Sequence, residues 1–106
     1  MSLVVLTLIA PTALKEELVA AMLAHPPTAE AGFVAREVEG YGHNVDFDSV
    51  VEQVRGHTLA VEIVVGLPEE EARALLDALA DELPGRGIVW RMIAASAGAL
   101  ERGPSQ

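Results

Sequence analysis

The stretch "GFVAREVEGYGHNVDFDSVVEQVRGHTLAVEIVV", residues 32–65, decides the fold. Its first third sets Val34, Arg36 and Val38 against Phe33, Ala35, Glu37 and Glu39, the two-residue period of a strand. Its last eight residues, 58–65, put Leu59, Val61, Ile63 and Val65 on one face and Thr58, Ala60, Glu62 and Val64 on the other. From Gly40 to His57 the connection is too long for a tight hairpin turn. A loop of that length in so small a chain is kept where something uses it.

Upstream, "LVVLTLIA" (residues 3–10) is a nearly continuous β-prone run, expected of a central strand, and Pro11 and Thr12 stop it. From Ala13 a helix follows, with Leu14, Leu18 and Met22 at helical spacing and Val19 and Leu23 widening the stripe. Lys15, Glu16 and Glu17 face water. "HPP" at 25–27 ends this helix, because proline cannot continue it, and His25 reads as a helix-terminus interaction.

Downstream, a second helix has Gly66 and Pro68 at its start and three glutamates in its first turn, where the helix dipole favours negative charge. Ala72, Leu75, Leu76, Leu79 and Leu83 point inward, and Pro84 and Gly85 close the helix. "GIVWRMIAAS", 87–96, is the last strand, with Trp90 and Met92 assigned to the core beside Ile88. A tail from about residue 98 to 106 frays.

The resulting order, β-α-β-β-α-β, is the ferredoxin-like plan: an α+β domain whose antiparallel four-stranded sheet carries both helices on one face. One domain spans residues 1–106, with a loop at 42–57. The uncovered sheet face, carrying Ala60 and Val64, predicts oligomerisation. Glu62 and Arg91, charged residues on otherwise apolar strands, are candidates to pair within that face.

Composition narrows the function. Sixteen acidic against seven basic residues give a net charge of −9, which repels a phosphate backbone, so nucleic acid is not an expected partner. The middle strands offer Ala35, Glu37, Ala60 and Glu62 where an RNA-binding sheet of this plan needs stacked aromatics and basic charge. With no cysteine, thiolate metal sites and Cys nucleophiles are excluded. The segment after the first strand lacks the Arg of an acylphosphatase-like phosphate cradle. Ser49 and His57 sit in no recognisable nucleophile motif, so the chain is expected not to be an enzyme. The opening apolar run is far shorter than the ~20 residues of a membrane span and has no basic flank, which predicts a cytoplasmic protein with no membrane insertion.

"EVEGYG" at 37–42 followed by "VEIVV" at 61–65, in this order within the βαββαβ plan, resembles the PII-like signalling superfamily. The likeness spans nearly the whole chain and is strongest to divergent members encoded near heavy-metal efflux systems. It implies a homotrimer with the sheets facing inward, small ligands in the clefts between subunits, and a signalling T-loop at 42–57. It further implies a non-enzymatic regulatory protein that signals to a partner such as a membrane transporter or efflux protein.

The ligand-binding residues implied are Gly40, Tyr41, Gly42, His43 and Asn44 at the loop base, and Gly85, Arg86 and Gly87 after the second helix. His43 and Asn44 stand where nucleotide-binding relatives have Arg and Gln. The turn "LPGRG" is shorter than the family's phosphate loop, and the C-terminal Arg-x-Arg is replaced by Gly98, Ala99 and Leu100. These departures rank an adenine nucleotide behind a divalent transition metal as the cofactor. His43, Asp46, Asp48, Glu52 and His57 supply imidazole and carboxylate ligands suited to such an ion. A divalent heavy-metal binding or tolerance protein is therefore the alternative reading. Val50, Val51 and Val54 follow a candidate capping box of Asp48 or Ser49 with Glu52, which predicts a short helix inside the loop.

Overall fold

The computed structural model describes residues 2–41 and 58–100. Strand β1 is Leu3–Pro11, followed by a 3-10 turn at Thr12–Leu14 and helix α1 at Lys15–Ala24. Helix α2 is Pro26–Ala31, strand β2 Phe33–Gly40 and strand β3 Thr58–Pro68. Helix α3 is Glu69–Glu82 and strand β4 Val89–Ala94. All pairs are antiparallel, in the order β2-β3-β1-β4, which is the ferredoxin-like arrangement expected from the element order.

The alternation in β1 sorts the two sheet faces. Val4, Leu6, Leu8 and Ala10 are buried and lie opposite Leu67, Val65, Ile63 and Val61 of β3, which are buried too. With Leu14, Leu18 and Met22 and with Ala72, Leu75 and Leu79, they form one core between sheet and helices. Fully burying a side chain of this size is worth about 1.5–3 kcal/mol, so this layer supplies most of the driving force.

On the other face no described element covers the sheet. Val34, Val89 and Ile93 there are 65%, 60% and 58% exposed, beside Val5, Thr7 and Ile9 of β1 and Val64 of β3. The open apolar face expected from the topology is present, but Ala60, expected on its surface, is only 1% exposed.

Tertiary structure departs from the local pattern in three places. Pro26 does stop α1, but it also opens α2 as an N1 proline, where its missing N–H costs nothing. Thr28 locks this junction: it is fully buried, donates a hydrogen bond to the Met22 carbonyl and lies 2.9 Å from the His25 carbonyl. His25 caps the end of α1 with its Nε2 buried and unpartnered among the described residues. Gly66 and Pro68 belong to β3 rather than to the helix, because β3 stays paired to β1 as far as Pro68, and the Glu69 N–H donates to the Ser2 carbonyl at 2.8 Å. Leu23, placed in the inward stripe, is 59% exposed, since α1 presents only Leu18 and Met22 squarely to the sheet.

Candidate functional site

The end of α3 builds a cleft. Leu83 donates its N–H to the Leu79 carbonyl, Pro84 cannot continue the helix, and the chain turns through Gly85, Arg86 and Gly87. Gly85 and Gly87 have φ of 65° and 78°, left-handed backbone that L side chains adopt only at a cost. A Cβ at Gly85 would meet nothing within 4 Å, so backbone conformation alone calls for glycine there.

The turn leads directly into β4, and a cleft of about 420 Å³ opens between it and the helix. That size falls within the range of small-ligand sites, roughly 300–1,000 Å³. Leu76 and Leu79 of α3, Leu83 at its C-cap, Ile88 and Trp90 on the β4 side, and Leu8 of β1 line the cleft. Arg86 is the one charged residue among these lining groups.

Trp90 departs from its expected place in the core. It faces the helix side of the sheet opposite Leu8, yet it is 51% exposed. β4 is an edge strand, and the helices do not reach far enough to cover an indole there. Ile88 and Met92, in contrast, are partly buried against the core as expected.

The electrostatics of the cleft rest on two elements. Arg86 Nη1 lies 3.6 Å from Glu17 Oε2 on the first turn of α1, with both side chains about half exposed. Nearby on the same helix, Lys15 Nζ is 3.6 Å from Glu37 Oε2 of β2. Sequence spacing could not reveal either pair, because each joins residues far apart in the chain that only tertiary folding brings together.

At the loop base, Gly40 pairs with Thr58, which closes the β2–β3 connection as antiparallel pairing requires. Tyr41 is exposed, and its hydroxyl donates to Glu39 Oε1 at 3.0 Å. That hydrogen bond to a carboxylate, which the neutral phenol alone can donate, pushes the Tyr41 pKa above its ordinary value of 10.0. Gly42, His43, Asn44, Asp46, Asp48, Glu52 and His57, and the helix expected within 48–54, lie outside the described residues. Among the described residues, no group of three or more His, Asp or Glu side chains is placed to hold a metal ion. Thus Gly85, Arg86 and Gly87 come together in one cleft beside Pro11, while Gly40 and Tyr41 lie at the same end of the sheet but on β2, the edge strand opposite β4.

The expected Glu62–Arg91 pair does not form within the chain. Glu62 instead meets Arg36, directly opposite on β2, at 2.7 Å. Arg91 lies opposite Thr7, on the far side of β1 from β3. No helix among the described residues is long and apolar enough to cross a membrane.

No curated protein matches the chain. Among solved structures, a DUF3240 family protein from Shewanella baltica OS155 is 19% identical, with a TM-score of 0.72 over 95% of this chain and 99% of its own. CPII, a nitrogen regulatory PII-like protein from Thiomonas intermedia K12 solved with ADP, AMP and bicarbonate, is 18% identical. Its TM-score is 0.68, covering 95% of this chain and 98% of its own. A Thermus thermophilus protein described as PII-like is 17% identical, with a TM-score of 0.60 over 90% of this chain and 91% of its own. These likenesses show that the fold is the PII-like one, as the "EVEGYG" and "VEIVV" segments implied. The sequence profile of DUF3240, described as a protein of unknown function, matches residues 1–100, and the chain belongs to that family.

Proposed function

We propose that this chain is a non-enzymatic regulatory protein of the PII-like kind, which binds a small ligand and reports it to a partner protein through the 42–57 loop. The observation that carries this reading is the cleft at Gly85–Gly87: a glycine turn, one arginine and a half-exposed indole converge on a cavity of small-ligand size. A similar fold holds ADP, AMP and bicarbonate in CPII, which supports an anionic small molecule as the ligand class. The uncovered sheet face, with Val34, Val89 and Ile93, supports assembly into a homotrimer whose sheets face inward. Neighbouring subunits would then complete the cleft.

A thermal-shift series with AMP, ADP and bicarbonate tests this, since a ligand bound only by the folded state raises the melting temperature with concentration. Stabilisation by at least one of them, lost in Arg86→Gln, is the expected result. Absence of any shift at millimolar concentration overturns the ligand reading. The metal reading for His43, Asp46, Asp48, Glu52 and His57 rests on their chemistry alone. It is tested by calorimetric titration with zinc, nickel, cobalt and copper, where no heat from any of them removes it.

A further inference from the structure

We propose that Glu17 is the selectivity-determining residue of the cleft: by holding Arg86 it restricts the site to ligands with a planar body and a single anionic group. This rests on the ligand reading above and sharpens it.

The charges that face the site are few. Arg86 alone among the lining residues is cationic, and its guanidinium already has the Glu17 carboxylate at 3.6 Å. The other described cations cannot assist. Lys15 pairs with Glu37, Arg36 with Glu62 and Arg73 with Glu69, while Arg91 sits on the opposite sheet face, in register with Thr7.

A lone guanidinium fork matches one carboxylate or one phosphate group in bidentate fashion. Among the described residues of the same subunit a second phosphate would find no further cation and would lie beside Glu17, within a chain of net charge −9. The remainder of the cleft is leucine wall and indole face, which favours a flat, weakly polar body stacked on Trp90. Any anion that enters must share Arg86 with Glu17 or displace it. The exchange is easy, because the pair is half exposed and such surface pairs are weak.

Trp90 is the chain's one tryptophan, so its fluorescence reads occupancy directly. Adenosine, AMP and ADP, carrying no, one and two phosphates, are titrated against the wild type, Glu17→Gln and Arg86→Gln. In the wild type AMP binds more tightly than ADP. Glu17→Gln is expected to raise ADP affinity by about fivefold, to raise AMP affinity less, and to leave adenosine unchanged. Arg86→Gln removes the preference for AMP over adenosine. An unchanged AMP-to-ADP ratio in Glu17→Gln, with binding intact, overturns the role of Glu17 alone. No fluorescence response in any variant overturns the ligand reading together with it.

Discussion

Arg36 and Glu62 face each other across β2 and β3, with Arg36 Nε 2.7 Å from Glu62 Oε1, on the sheet face that no described helix covers. Glu62 is the more enclosed partner, its side chain only 19% exposed against 72% for Arg36. In an isolated chain so exposed a pair is worth about 1 kcal/mol or less. Once the face is closed by neighbouring subunits, removing one partner strands a buried charge, at a cost of about 3–5 kcal/mol. Arg36→Met is therefore expected to weaken assembly far more than it weakens the fold. Sedimentation equilibrium would show dissociation at concentrations where the wild type stays associated, and an unchanged assembly would mean that this face is not the interface.

Gly85 reports on backbone conformation without steric interference. Gly85→Ala is expected to destabilise by about 1–2 kcal/mol, the cost of left-handed φ for an L residue. Gly85→Asn should cost less, because asparagine tolerates that region. Urea unfolding of the two variants gives the comparison, and equal losses would point to a cause other than φ.

Leu18 and Leu23 lie on the same helix and differ in consequence. Leu18 is fully buried, so Leu18→Ala is expected to cost about 2–5 kcal/mol through lost burial and a residual cavity. Leu23→Ala, at a site 59% exposed, should stay within about 0.5 kcal/mol. Denaturant midpoints of both variants check the assignment of the α1 face.

Tyr41 is the chain's one tyrosine, which makes its ionisation readable by absorbance at high pH. The phenol is held protonated by its hydrogen bond to Glu39, and a phenolate would form beside a negative carboxylate. Its midpoint therefore lies above the ordinary 10.0. Glu39→Gln removes that charge and should lower the midpoint. A midpoint that does not fall would show that the contact does not persist in solution.

Much of the fold is legible from residue order. The alternation of 33–39 and 58–65 assigns the faces of β2 and β3 correctly, and Leu14, Leu18 and Met22 mark the inward side of the first helix. The Gly85–Gly87 turn is visible in composition, because left-handed backbone at two positions beside a helix end selects glycine. Pro26 and Gly66 mislead a local reading, since a proline can both stop one helix and start the next, and a glycine near a helix start can still belong to a paired strand.

What the sequence determined by itself is therefore the order of the four strands and the two long helices, the face of each strand and the position of the glycine turn, but not the short helix α2. All three follow from local backbone preference and hydrophobic period. Only the tertiary structure decided that Glu62 meets Arg36 rather than Arg91, that Glu17 holds Arg86, and that Trp90 stands half exposed over a cleft. Those outcomes depend on strand order, register and the reach of the helices over an edge strand. Each is fixed by contacts between residues far apart in the chain, which no local pattern encodes.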